Sequence, residues 1–134
     1  VVLYSSMSGD AGRNWEHSWR YWPIQRAAMD ATALIYGRPA ENPEGYAAIS
    51  PVNYLERVRM PVMIHHGTHD ESVPYWWSEE LWKQMEEIGI NVTFWPYPGG
   101  GHSLPTDVLM QRTYEFFEQH VRADVNSPDA EAGR

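Results

Sequence analysis

Pro61-Val62-Met63-Ile64-His65-His66-Gly67-Thr68-His69-Asp70 is the stretch that decides the fold. Its first six residues run continuously instead of alternating apolar with polar, as a central parallel strand covered on both faces does. The run stops at Gly67 and leaves Asp70 in a tight turn just beyond it. A second segment repeats the arrangement: Asn91 to Tyr97 reads as a strand, and Pro98-Gly99-Gly100-Gly101-His102 sets a histidine in the turn that follows. Between the two, Pro74 to Ile88 reads as a helix with Pro74 near its first turn. Trp77, Leu81, Met85 and Ile88 form its buried stripe, Glu79 and Lys83 an exposed i, i+4 pair, and Gly89 its stop.

Upstream, Val1-Val2-Leu3-Tyr4 is a β-branched and aromatic run, read as a buried strand that ends at the loop formers Ser5 to Asp10. Arg13 to Tyr36 is helical but irregular, with a break at Pro23, and Trp15, Trp19 and Trp22 fall at i, i+4, i+7. Ala47 to Arg59 is a short irregular connection centred on Ser50-Pro51. Downstream, Pro105 to Val121 reads as a last helix with Leu109, Thr113, Phe116 and His120 inward. The order β, helical excursion, β, α, β, α predicts an α/β fold of about three parallel strands joined by right-handed crossovers and flanked by helices. Residues 1–122 are expected to form the domain and residues 123–134 a polar, disordered tail. In such sheets ligands sit at the carboxyl ends of the strands, where both Asp70 and His102 fall.

Composition narrows the partners. With 134 residues, 43% of them hydrophobic and 21% charged, the chain has the make-up of one folded domain rather than of a disordered segment. A formal charge of −8 argues against nucleic acid or an anionic membrane surface. No apolar run approaches the ~20 residues of a membrane span, and no charged-then-apolar leader opens the sequence. The absence of cysteine excludes disulfides and thiolate metal sites and leaves the compartment undetermined. A start at Val1 without methionine suggests a chain processed, trimmed or cut from something longer.

A carboxylate on one strand-end turn and a histidine on the next are the last two members of a Ser…Asp…His triad. A histidine acts as general base on a serine only when its other ring nitrogen is held in one tautomer, and a buried carboxylate does that. The glycines at 99, 100 and 101 let the backbone turn sharply and leave the imidazole clear. Taken singly, Asp70 suits a turn or helix-capping carboxylate ahead of Pro74, and His102 a loop histidine. Taken together, after strands and in order, they read as a catalytic pair. His65, His66 and His69 beside Asp70 invite a metal reading, but adjacent strand residues face opposite ways, so no metal is expected.

Ala48-Ile49-Ser50-Pro51-Val52, then Pro61 to Pro74 with its His66-Gly67-Thr68-His69-Asp70 core, then Tyr97-Pro98-Gly99-Gly100-Gly101-His102, resemble the catalytic domain of prolyl oligopeptidase-like serine peptidases, of the α/β-hydrolase superfamily. The resemblance covers Val1 to about Val121. It implies the C-terminal part of an α/β-hydrolase domain, from its sixth strand to its last helix, with Asp70 as orienting acid and His102 as general base and with no cofactor. It also implies that aromatics from the Trp15, Trp19, Tyr21 and Trp22 region line the substrate pocket, although packing of a helical stripe against the sheet, or against the absent half of the domain, is the favoured reading of all four. The family often carries an acidic residue between the glycines before its histidine. Gly100 stands there instead, which keeps dienelactone-hydrolase-like and other esterases in view.

The serine is the missing member. No Gly-x-Ser-x-Gly occurs in the sequence, and none of Ser5, Ser6 and Ser8 has glycines two positions away on both sides. If Val1 to Tyr4 is the sixth strand, the nucleophile lies ~15–25 residues before residue 1, allowing for one helix and its turns. The expected function is therefore that of a serine hydrolase on peptide or ester substrates, with this chain alone inactive. A non-catalytic binding module of the same fold is the reading from another class. The expected partners are the N-terminal part of the same domain, or a second chain paired along an exposed strand edge.

Overall fold

The computed structural model describes residues 1–125. Three parallel strands, β1 (Val2–Tyr4), β2 (Val62–Gly67) and β3 (Val92–Tyr97), form one sheet in the order β1-β2-β3. Every residue of β2 is buried, which is why its sequence has no alternation. The register pairs Val2 with Met63 and Tyr4 with His65 on one side, and Val62 with Val92 and Gly67 with Tyr97 on the other. The carboxyl ends of β2 and β3 are therefore level. Contrary to the buried strand expected at Val1 to Tyr4, Val2 and Leu3 are half-buried and Tyr4 exposed, because β1 is an edge strand among the described residues.

The excursion between β1 and β2 contains α1 (Ala11–Tyr21), α2 (Arg26–Tyr36) and the short α3 (Pro43–Ala48). Asp10 starts α1 by accepting the Arg13 N–H at 2.9 Å, and Pro23 opens the 3-10 turn separating α1 from α2. Asn42 caps α3 through the Gly45 N–H at 3.1 Å, so the connection expected to be irregular from Ala47 starts inside a helix. It continues as a 3-10 helix over Pro51–Arg57. The helix α4 (Tyr75–Glu87) buries Trp77, Leu81 and Met85 as the stripe requires. Ile88 instead caps the helix and is exposed. Gly89, at φ 78°, supplies the left-handed stop. Leu55, Val62, Ile64, Leu81 and Met85 make the core between the sheet and α4.

The last helix, α5 (Thr106–Val125), buries Thr113 and Phe116 and half-buries Leu109 and His120. It continues to Val125, past the expected end at Val121. Most of the expected polar tail, residues 126–134, lies outside the described residues.

Candidate active site

Hydrogen bonds, two of them between backbone groups, clamp the two turns together. Thr68 N–H donates to Tyr97 O at 3.0 Å, His69 N–H to Gly100 O at 2.9 Å, and Gly99 N–H to Thr68 Oγ1 at 2.9 Å. The approach is close enough that a Cβ on Gly67 would collide with the carbonyl oxygens of Gly100 and Gly101. Only glycine fits there.

This clamp brings Asp70 and His102 together. His102 Nδ1 lies 2.9 Å from Asp70 Oδ2 and 3.2 Å from Oδ1. The Asp70 side chain is fully buried, whereas 46% of the His102 side chain is exposed. Asp70 also does what a lone turn carboxylate would do: Oδ1 accepts the N–H groups of Ser72 and Val73, each at 2.9 Å. One carboxylate thus holds its own turn through Oδ1 and meets His102 most closely through Oδ2. Burial pushes the Asp70 pKa up, but donors from Val73, His102 and Ser72 outweigh it and hold the group below the usual carboxylate range. Asp70 is ionised at neutral pH, and His102 faces it with Nδ1–H.

A second histidine shares the carboxylate. His66 Nε2 lies 3.0 Å from Asp70 Oδ2 and 3.1 Å from Val73 O, while Nδ1 lies 2.6 Å from Ser78 Oγ. Nε2 faces two acceptors, so it carries the ring proton, and Nδ1 accepts from the Ser78 hydroxyl. Burial lowers the His66 pKa despite the pull of Val73 O and Asp70, so the ring is a neutral donor. Ser78 has no counterpart in the sequence reading, which weighs His66 as a metal ligand or a packing and turn residue without pairing it with Asp70. The signal available was the i, i+4 spacing of His66 and Asp70 in the deciding stretch.

His65 and His66 occupy opposite sides of β2. His65 Nδ1 meets the Tyr97 hydroxyl at 2.9 Å and its ring stacks on Tyr4. His69 is exposed and accepts from the Thr68 hydroxyl at 3.1 Å. No group of His, Asp and Glu side chains suited to a metal ion occurs among the described residues.

The aromatic trio is divided between two faces of α1. Trp15 and Trp19 stack on each other, and the Arg38 guanidinium covers both. Trp19 Nε1–H also donates to Asp30 at 3.0 Å, so these two rings pack α1 onto α2. Tyr21 is exposed on the other face and packs against His17, whose Nε2–H donates to Ser72 O at 2.8 Å. Of the three, Tyr21 is the one linked to the Asp70 turn. The hydroxyls after β1 are otherwise engaged: Ser5 donates to His102 O at 3.2 Å and Ser8 accepts the Asp10 N–H at 3.2 Å. Ser6 Oγ is buried without a partner among the described residues.

The model of the prolyl oligopeptidase family matches residues 17–124. The uncharacterized peptidase YuxL of Bacillus subtilis (strain 168) is 22% identical over 107 residues, covering 75% of this chain and 15% of that protein. Among solved structures, an acylaminoacyl peptidase of Pyrococcus horikoshii superposes with a TM-score of 0.64 at 22% identity, over 90% of this chain and 20% of that one. A truncated carbohydrate esterase from gut microbiota gives a TM-score of 0.54 at 27% identity, over 71% of this chain and 35% of that one. The chain thus spans a minor part of each of these relatives, and its three parallel strands and helices are a portion of the α/β-hydrolase fold.

Proposed function

As this chain belongs to the prolyl oligopeptidase family, we propose that it supplies the acid and the base of a serine hydrolase, Asp70 and His102, whose nucleophile lies upstream of residue 1. The observation that carries this reading is the 2.9 Å approach of His102 Nδ1 to a buried, ionised Asp70 at the ends of adjacent parallel strands. With Nδ1–H committed to the carboxylate, Nε2 is the basic nitrogen. It takes the proton of a serine hydroxyl as the oxygen bonds to the acyl carbon, and returns that proton to the leaving group as the scissile bond breaks. Water then repeats the sequence against the acyl-enzyme. Asp70 keeps the tautomer throughout and stabilises the imidazolium, and no cofactor takes part.

Peptide bonds are the favoured substrate, with the exposed Tyr21 ring beside the Asp70 turn contributing to the pocket. The likeness to a carbohydrate esterase at 27% identity supports ester hydrolysis as the second reading. In the full-length protein, Asp70→Asn is expected to lower kcat by about 10³–10⁴-fold with KM little changed, and His102→Gln by a similar factor. Activity of either variant within tenfold of the parent excludes the pair. Comparing a peptide anilide with a nitrophenyl ester separates the two substrate classes. The 134-residue chain alone should stay unlabelled by a fluorophosphonate probe; stoichiometric labelling of any of its serines overturns the upstream nucleophile.

A further inference from the structure

Ser5 is the sole non-glycine residue with a positive φ, 42°, among the described residues. It is buried, immediately after β1, where its N–H still donates to His65 O at 2.8 Å and continues the ladder. The chain then turns away at once. An L-residue in this region is held there against its own preference, so some local contact must compensate. The contact present is the Ser5 hydroxyl, which donates to the carbonyl of His102 at 3.2 Å.

The attachments of the His102 loop explain why that bond matters. Upstream of the histidine, Gly99 N–H is tied to Thr68 Oγ1 and Gly100 O to His69 N–H, both on the β2 side. At His102 itself, the N–H reaches Glu71 Oε2 only at 3.4 Å. Beyond it, no backbone hydrogen bond holds Ser103 or Leu104 among the described residues, until Leu109 N–H meets Pro105 O at the start of α5. The Ser5 hydroxyl is therefore the tie on the β1 side, across the sheet end from Asp70. Two ties on opposite sides fix the Cα of His102, and a fixed Cα is what lets a half-exposed ring keep Nδ1 on Asp70.

We propose that Ser5 is a positioning residue: its strained backbone aims a hydroxyl at the His102 carbonyl and so holds the base in register with Asp70. This rests on the reading of His102 as general base, but its structural half can be measured without turnover. Ser5→Gly is the informative substitution, because it removes the hydroxyl and the strain together. If Ser5 serves only the fold, Ser5→Gly changes at most the thermal midpoint and leaves kcat and the His102 tautomer intact. If it positions His102, the thermal midpoint stays at or above that of the parent while kcat of the full-length protein falls about tenfold and KM holds, the rate equivalent of one lost hydrogen bond. Ser5→Ala, which keeps the Cβ and its strain, should show the same fall in kcat. Ring nitrogen NMR of the full-length protein gives a readout independent of catalysis: His102 is expected as the Nδ1–H tautomer in the parent and as a mixture with Nε2–H in Ser5→Gly. An unchanged tautomer together with kcat within twofold of the parent overturns the proposal. A parent protein with no hydrolysis at all refutes the general-base reading instead, and the tautomer alone then decides on Ser5.

Discussion

Gly67 shows how one missing Cβ can govern a site. It lies where the two strand-end turns touch, and its substituent hydrogen faces two carbonyl oxygens. In Gly67→Ala the turn carrying His102 has to move away from the turn carrying Asp70, because backbone atoms cannot rotate aside as a side chain could. The expected cost is about 2–4 kcal/mol of stability, measured by urea denaturation. In the full-length protein kcat/KM is expected to fall about a hundredfold through lost alignment. Gly99→Ala is the control. Its φ of 73° strains any other residue, but nothing lies within 4 Å of its added Cβ. It should cost about 1–2 kcal/mol, the conformational penalty alone, and leave the Asp70–His102 pair intact. Equal effects of the two substitutions would show that steric contact at Gly67 is not what sets the spacing.

The element that organises both the core and the site is β2, and its two faces carry different histidine chemistry. His66 serves Asp70, whereas His65 lies on the opposite face, fully buried, with Nε2 unpartnered among the described residues. Burial, and secondarily the Arg112 guanidinium, push the His65 pKa down to about 4. In the unfolded chain a histidine titrates near 6.5. Between these values the unfolded state takes up a proton that the folded state refuses, so stability falls as pH drops from about 6.5 towards 4, by an amount approaching 3 kcal/mol. His66 acts in the same sense, since its pKa is also lowered. Asp70, lowered below the usual carboxylate value, contributes stability that is present above about pH 4 and is lost as pH falls further through its folded value. Urea midpoints at pH 7 and pH 4.5 measure the histidine contribution. His65→Asn, whose amide can reach the Tyr97 hydroxyl from the place of Nδ1, should flatten the difference; equal midpoints for the parent would contradict it. The strand itself was legible in the sequence, because an apolar run this short, bounded by Pro61 and Gly67, is too short for a helix and suits a fully buried strand. The Asp70–His102 pair was legible for a related reason: each residue follows a strand in a glycine-bearing turn, so topology alone brings them level. Ser5, His17 and Ser78 were not legible, since their roles depend on a backbone angle or on contacts between residues distant in sequence. The exposure of β1 was misread because a strand's hydrophobicity records what it packs against in the whole domain.

At the scale of the molecule, apolar surface is unevenly covered. α4 covers one side of the sheet with a closed core, and α5 contacts β2 and, through the Thr113 hydroxyl, Tyr4 of β1, while leaving Val108, Met110, Tyr114 and Phe117 exposed. On α2 and the turn before it, Ile24, Leu34 and Ile35 are 93%, 89% and 92% exposed. The outer edge of β1 adds unpaired backbone groups to this, with Tyr4 beside them. Scattered apolar residues are ordinary on a protein surface, but a strand edge left bare by the described residues, together with two helices carrying exposed aliphatic and aromatic side chains, is surface that seeks a partner. The expected partner is further sheet of the same hydrolase domain, which would add strands to the β1 edge. Deprived of it, the 134-residue chain should self-associate at micromolar concentration. Light scattering tests this against a co-expressed polypeptide carrying the upstream part of the domain. If edge pairing drives association, that polypeptide suppresses it, and an inward charge such as Leu3→Lys, placed on the edge strand, reduces it as well. If the helical faces drive it, Leu34→Glu with Ile35→Lys suppresses association and Leu3→Lys does not. A monodisperse, stable monomer of the unsubstituted chain would count against both, and would show that these surfaces are tolerated in water without a partner.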